Sequence, residues 1–97
     1  MRVVWTEQAA ERLRDIETYV ARDNPRGAAR LVDRLVDQGD ALASHPDRGR
    51  RLPELPESGL RELIVGNHRI VYRRMSKTVE VLTVFEGHRL LRENELS

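Results

Sequence analysis

Four arginines lie within one short stretch, "GLRELIVGNHRIVYRR", which runs from Gly59 to Arg74. They are Arg61, Arg69, Arg73 and Arg74, and they stand among apolar residues that favour β-strands. A guanidinium group binds phosphate or carboxylate oxygens through two parallel hydrogen bonds. Arginines gathered on one surface can therefore hold a scissile phosphate, or the acidic residues of a protein partner.

Charge is distributed unevenly along the chain, although the net charge is only +1. Residues 1–46 carry seven Arg against eight Asp and Glu, whereas residues 48–92 carry nine Arg and one Lys against five Glu. The second half is therefore predicted to form an electropositive face that binds a target or a partner. The candidate binding residues are Arg50, Arg51, Arg61, Arg69, Arg73 and Arg89.

Length and composition predict one small globular domain that spans residues 1–97. The absence of cysteine excludes disulfides and thiolate catalysis. Three histidines, His45, His68 and His88, lack the spacing of metal ligands, so we expect no metal site and no cofactor. The apolar runs are too short to cross a bilayer and no basic-then-apolar leader opens the chain, so we expect a cytoplasmic protein without a membrane partner.

The first half of the chain predicts a strand followed by two antiparallel helices. Arg2–Trp5 is a β-favouring run, and Thr6 can cap a helix whose apolar stripe is Ala9, Leu13, Ile16 and Val20. Asn24 and Pro25 are a good N-cap and first-turn pair for a second helix, which ends before Pro46. Its apolar face is Ala28, Leu31, Val32, Leu35, Val36 and Leu42.

The second half predicts a connector and a three-stranded antiparallel meander. Residues 47–59, rich in Pro and Gly, form the connector; strands then follow at 60–65, 68–75 and 78–85, with a two-residue turn at Gly66 and Asn67. The fold class is α+β, with a strand and a helix hairpin packed on one face of a mostly antiparallel sheet. We expect the other face to be free as a working surface.

The turn at Gly66 and Asn67 fixes which residues face each other in the hairpin. Arg61 is predicted opposite Tyr72, and Ile64 opposite Arg69. One face carries Arg61, Leu63, Val65, His68, Ile70 and Tyr72, and the other carries Leu60, Glu62, Ile64, Arg69, Val71 and Arg73. An ordinary structural role stays open, in which Arg61, Arg69 and Arg73 pair with Glu62, Glu80 and Glu86, each pair contributing about 0–1 kcal/mol.

Four stretches of the chain follow one another in an informative order. They are "VVWTEQAAERLRDIETYVARDNPRGAARLVDRL", "HPDRGRRLPEL", "RELIVGNHRIVYRR" and "EVLTVFEGHR". In this order and spacing, nearly the whole chain resembles the RelE/ParE superfamily of toxins from type II toxin–antitoxin modules. The resemblance implies the same fold, and a growth-inhibiting toxin silenced by a cognate antitoxin that covers its working surface in a toxin–antitoxin oligomer.

The RelE-like branch of this superfamily cuts mRNA on the ribosome. The resemblance implies phosphate-holding roles for Arg69, Arg89 and Arg61, and His88, with Glu86 as its partner, is a candidate acid or base. The set departs from the RelE pattern in two places. Leu63 stands where RelE has a second lysine, and only Glu95 is offered where RelE has a tyrosine.

The ParE-like branch poisons DNA gyrase without known nuclease chemistry. The long, regular helix pair with "ARDNPRGAARLV" resembles that branch, so we favour a gyrase-binding toxin that is not an enzyme. The alternative is a RelE-like, metal-independent endoribonuclease that uses Arg61, Arg69, His88 and Arg89. A further alternative is a non-toxic interaction domain that has kept only the fold.

Overall fold

The computed structural model describes residues 1–87 and contains two helices packed on one face of a five-stranded sheet. The elements are β1 (Arg2–Trp5), α1 (Glu7–Ala21), α2 (Pro25–Asp40), a 3-10 turn (Ala41–Ala43), β2 (Arg50–Arg51), β3 (Leu60–Val65), β4 (His68–Arg74) and β5 (Thr78–Glu86). The strand order is β1-β5-β4-β3-β2, with β1 parallel to β5 and the other pairs antiparallel. The predicted α+β fold class is confirmed. The tail, predicted as a short helix or an extended arm, lies outside the described residues.

Helix α1 begins where the sequence predicted, at a cap that also ties it to the sheet. The Thr6 hydroxyl accepts a hydrogen bond from the Ala9 N–H at 3.1 Å. The same hydroxyl donates to the Leu82 carbonyl on β5 at 3.0 Å. One side chain therefore caps the helix and anchors it to β5.

Thr6→Ala is expected to lower the free energy of unfolding by about 1–2 kcal/mol, because it removes both hydrogen bonds. Thr6→Ser keeps the hydroxyl and should lose much less. Urea denaturation of the two variants measures the difference. Equal stability of the Ala and Ser variants would show that the hydroxyl has no such role.

Helix α2 is capped by Asn24, whose side chain accepts from the Gly27 N–H at 2.9 Å, with Pro25 in the first turn. It ends at Asp40, and a 3-10 turn then carries the chain through Ala43. At this end the Trp5 indole N–H donates to Asp40 Oδ1 at 2.9 Å. Strand β1 and the end of α2 are thereby joined.

The main core lies between the helices and the sheet. Its fully or nearly buried members are Ala9, Leu35, Leu42, Leu63, Val65, Ile70, Tyr72, Val79, Val81 and Val84. Leu13 and Ile16 of α1 are only partly buried and pack against the edge of this cluster. The predicted apolar face of the second helix is thus confirmed at Leu35 and at Leu42, which lies in the 3-10 turn after α2. In the α1 stripe, Ala9 is buried in the core, whereas Leu13 and Ile16 lie at its rim.

A β-bulge in β5 sets which of its residues reach the main core. Val71 pairs with Thr83 and Tyr72 pairs with Val81, so Leu82 is an extra residue in β5. The bulge shifts the alternation by one residue. Val84, beyond the bulge, therefore faces the helices together with Val81.

The predicted registers of the hairpin are confirmed. Arg61 lies opposite Tyr72, and Ile64 lies opposite Arg69. Gly66 occupies the left-handed region at φ 59°, which the two-residue turn requires. Strand β4 ends at Arg74, one residue before the predicted end, and β5 continues one residue further, to Glu86.

The prediction of a free second face of the sheet was wrong, because the connector returns across it. Leu52 is buried among Leu60, Val71 and Phe85, with Leu55 and Leu82 at the margin. The connector also contains strand β2, which the sequence did not predict. Its pairing with β3 fixes the path of the chain over this face.

Candidate functional site

A buried ion cluster lies on the second face of the sheet, beneath the connector. Its buried members are Glu62 from β3, Arg69 from β4 and Glu54 from the connector, and the largely exposed Arg50 binds it from the surface. Glu62 is 1% exposed and Arg69 is 6% exposed. Charged groups are this deeply buried only where they are paired.

Arg69 is bound on two sides by carboxylates. Its Nε donates to Glu62 Oε1 at 2.6 Å. Its two terminal nitrogens donate to the two oxygens of Glu54 at 2.8 and 2.7 Å, an Arg–carboxylate fork. The hydrogen bonds that Arg69 donates to Glu54, and also to Glu62, raise the pKa of Arg69 above its ordinary value, against the effect of burial.

Glu62 completes the cluster by accepting from Arg50, whose Nε lies 2.6 Å from Glu62 Oε2. The predicted pairing of Arg69 with Glu62 is confirmed, while the role of Glu54 was missed. Glu54 is far from the hairpin in the predicted connector, and only the return of that connector brings it to Arg69. In this structure, an incoming phosphate would have to displace carboxylates to reach the Arg69 guanidinium.

A second group of arginines, which we call the basic end cluster, lies on the other face of the sheet, the face that carries Tyr72. Its members are Arg51, Arg61 and Arg74, and Asp47 lies between the last two. Arg61 donates to the Gly49 carbonyl at 2.6 Å and approaches Asp47 Oδ1 at 3.7 Å. Arg74 donates to the other oxygen of Asp47 at 2.5 Å. One carboxylate thus serves two arginines.

Gly49 allows the connector to pass close to the hairpin at this end. A Cβ at Gly49 would lie 2.5 Å from the Glu62 carbonyl and 2.7 Å from the Tyr72 hydroxyl. The Gly49 N–H donates to that hydroxyl at 2.8 Å. Burial raises the pKa of Tyr72 above its ordinary value, so this phenol is a neutral structural group.

The remaining predicted site residues are separate from these two clusters or outside the described part of the chain. Arg73 forms an exposed pair with Glu80 at 2.6 Å, as the structural interpretation predicted. His88 and Arg89 lie outside the described residues. Of the predicted site residues, Arg50 and Arg69 therefore share one carboxylate, that of Glu62. Arg51 and Arg61 are neighbours because they are paired across β2 and β3.

An open groove of about 350 Å³ lies between α1 and the end of β5. It is lined by Arg12, Asp15, Ile16, Tyr19, Val20, His68, Val84, Phe85 and Glu86. The Nδ1 atom of His68 is buried here and has no hydrogen-bond partner among residues 1–87. Desolvation lowers the pKa of His68, and the nearby Glu86 carboxylate opposes that shift.

Neither a metal site nor a membrane helix is found in the described region. Within residues 1–87, no three His, Asp or Glu side chains are grouped closely enough to hold a metal ion. None of the helices in the same range is both long and apolar enough to cross a bilayer.

A family model described as the ParE toxin of type II toxin–antitoxin systems matches residues 3–91, nearly the whole chain. The chain belongs to this family. The superfamily predicted from the hairpin and helix motifs is therefore confirmed, and the protein is a toxin of the type II ParE/RelE family. The match includes both arginine clusters and the groove.

The family model carries a ParE name, whereas one of the individual relatives of the toxin carries a RelE name. A candidate toxin of Sinorhizobium fredii, Y4kP, is 41% identical over 88 residues, which cover 90% of this chain and 88% of the relative. Toxin RelE2 of Caulobacter vibrioides is 41% identical over 63 residues, which cover 65% of this chain and 67% of the relative. Sequence relatives therefore do not separate the two branches.

Solved structures support the fold of the toxin. A chain from the chromosomal ParDE system of P. aeruginosa aligns with a TM-score of 0.79 at 22% identity, over 91% of this chain and 97% of its own. A chain from the RelBE2 toxin–antitoxin complex of Mycobacterium tuberculosis aligns with a TM-score of 0.66 at 23% identity, over 91% of this chain and 92% of its own. At these identities the alignments confirm the fold alone.

Proposed function

We propose that this toxin inhibits growth as a ParE-type protein-binding inhibitor of DNA gyrase, and that a cognate antitoxin neutralises it. The observation that carries the proposal is the burial of Arg69. This arginine matches a phosphate-holding residue of RelE-like nucleases, yet Glu54 and Glu62 occupy its guanidinium. The two carboxylates already neutralise the guanidinium, so Arg69 stabilises the fold and is not available to bind a phosphate of RNA.

The other candidate residues within residues 1–87 are equally unsuited to the cleavage of RNA. RNA cleavage by 2′-hydroxyl attack needs a proton acceptor, cations at the phosphate and an acid for the leaving group. Leu63 belongs to the main core, and the fully buried Tyr72 hydroxyl accepts from Gly49. On the face that holds Arg69, β3 contributes Glu62 rather than a cation. The geometry favours a protein-binding toxin over a nuclease.

The alternative, a RelE-like mRNA interferase, is favoured by one observation, the relative named toxin RelE2. It would require His88 and Arg89 to supply the acid–base and phosphate-binding groups, together with Arg61. A non-toxic interaction domain of the same fold is the third possibility. Growth after expression without an antitoxin separates it from both toxins, because only the toxins arrest growth.

An antitoxin partner is supported by the family and by the surface of the toxin. The two structural neighbours come from toxin–antitoxin systems. The exposed arginines of the basic end cluster suit a partner with acidic residues, since complementary charge speeds association and selects the partner. The proposed targets and partner place the toxin in the cytoplasm.

The proposal is tested in cells by inducing the toxin without its antitoxin and then measuring plasmid supercoiling and mRNA integrity in the same cultures. We expect growth arrest with reduced negative supercoiling and intact mRNA, and recovery when the antitoxin is co-expressed. Fragmented mRNA with normal supercoiling would contradict the proposal and favour the interferase.

The toxicity of arginine variants tests which surface of the toxin is required for growth arrest. Arg61→Ala and Arg89→Ala are expected to weaken growth arrest more than Arg12→Ala or Arg30→Ala, because only the first two lie in the electropositive second half. Growth curves after induction measure the effect, and immunoblots check equal accumulation. Equal growth arrest by all four variants would contradict this assignment of the working surface.

A further inference from the structure

Two like charges lie directly opposite each other where β2 meets β3. Arg51 and Arg61 are cross-strand partners, so their side chains leave the sheet on the same face. Such a pair destabilises a sheet unless something else neutralises it. Arg61 is partly satisfied by the Gly49 carbonyl and by Asp47, whereas the exposed Arg51 makes no ion pair within residues 1–87.

The surroundings do not supply enough negative charge for this pair. Arg74 belongs to the same basic end cluster, and it already binds Asp47. Glu57 is the other carboxylate close to Arg51. Three guanidinium groups thus meet two carboxylates, which leaves a surplus of positive charge at this end of the sheet.

A pocket of about 300 Å³ opens between the two opposed arginines and the connector. It is lined by Arg51, Pro56, Glu57, Gly59, Leu60 and Arg61. Gly59 lies in the left-handed region at φ 81°, where the connector turns into β3. The pocket therefore combines two guanidinium groups with a wall formed by a turn and two apolar residues.

We propose that Arg51 and Arg61 form a binding site for an acidic segment of a protein partner, whose carboxylates bind the two guanidinium groups. The proposal rests on the proposed function, in which the toxin acts through proteins rather than on RNA. Each arginine can present a planar fork to a carboxylate, and Arg61 is held in place by its bond to the Gly49 carbonyl. Binding would relieve the repulsion within the pair.

A nucleic-acid strand fits this site less well than an acidic peptide. Single-stranded nucleic acids are held by aromatic side chains that stack on the bases. In the described part of the chain, the exposed large apolar residues are Met1, Tyr19, Ile64 and Met75, and the single aromatic among them lies on α1. The carboxylates of Asp47 and Glu57 also interrupt the row of cations that a phosphate backbone would follow.

The test is direct binding of a fluorescein-labelled peptide of alternating glutamate and serine, measured by fluorescence anisotropy at about 0.1 M salt, where screening extends over about 10 Å. Arg51→Gln should weaken binding roughly tenfold, because it removes charge-assisted hydrogen bonds. The Arg51 side chain makes no hydrogen bond or ion pair within residues 1–87, so this variant should fold normally. Arg26→Gln, an exposed arginine on α2, changes the net charge equally and should leave the affinity nearly unchanged.

A second variant, Arg61→Lys, keeps the charge but loses the fork, and it should also weaken peptide binding. Equal losses in Arg26→Gln and Arg51→Gln would overturn the site, since they would show attraction to net charge only. Tighter, Arg51-dependent binding of a single-stranded RNA of equal charge would overturn the assignment to a protein segment. Plasmid supercoiling in cells tests the gyrase proposal independently of peptide binding. The gyrase proposal and the peptide-site proposal can therefore fail separately.

Discussion

Arg69→Ala is expected to lower the free energy of unfolding by about 3–5 kcal/mol, because it removes the cation of Glu54 and leaves the buried Glu62 with only the largely exposed Arg50 as its partner. Glu62 is 1% exposed and cannot turn to solvent for compensation. Glu54 would lose the fork that fastens the connector to the sheet. Urea unfolding followed by the fluorescence of Trp5, the single tryptophan, measures the loss.

Arg73→Ala is the matched control, since its pair with Glu80 is exposed and should contribute about 0–1 kcal/mol. A triple variant, Arg69→Met with Glu54→Gln and Glu62→Gln, removes the buried charges together. It should be markedly more stable than Arg69→Ala, because no charge is then left buried and unpaired. A loss in Arg69→Ala no larger than in Arg73→Ala would contradict the structural role of this arginine.

Leu35→Ala is expected to lower the free energy of unfolding by about 2–5 kcal/mol, through lost burial and the cavity that remains. Leu35 lies on α2, is 0% exposed, and packs in the main core between the helices and the sheet. Urea denaturation again gives the value. The same substitution therefore tests both the helix register and the position of the core.

Arg30→Ala, an exposed position on the same helix, is the control and should change stability by at most about 0.5 kcal/mol. A loss below about 1 kcal/mol for Leu35→Ala would fall under the range for buried leucines and would argue against this packing of α2. Far-UV circular dichroism of both variants checks that the helix content is unchanged before the energies are compared.

Local signals in the sequence predict most of the fold correctly. Thr6 and Asn24 cap the helices at the predicted residues, and Gly66 makes the predicted turn. These features depend on a few neighbouring residues, so they can be inferred without knowledge of the tertiary structure. The hairpin register follows from the turn, and it placed Arg61 and Arg69 on opposite faces of the sheet.

The connector and the bulge could not be predicted in the same way. Proline and glycine in residues 47–59 indicated turns, but the pairing of β2 with β3 depends on contacts with a distant part of the chain. For the same reason Glu54 was missed as the partner of Arg69. Leu82 follows the strand pattern on both sides, so nothing local marks it as the bulge residue.

The sequence predicted which residue type forms the candidate site, but it did not predict how the arginines are arranged in the structure. The charge balance of the sequence grouped these arginines in one electropositive half of the chain, whereas the structure divides them between a buried ion cluster and a basic end cluster. Burial decides this division. Arg69 faces the returning connector and is covered, while Arg61 keeps part of its side chain in solvent.

The most direct test of the gyrase proposal is a paired assay on the purified toxin. One arm measures gyrase supercoiling and trapped double-strand breaks, and the other measures ribosome-dependent cleavage of mRNA. We predict inhibition of gyrase with intact mRNA, because Arg69 is occupied by Glu54 and Glu62. Ribosome-dependent cleavage that disappears in His88→Ala and Arg89→Ala, with gyrase unaffected, would contradict the account and make the toxin an mRNA interferase.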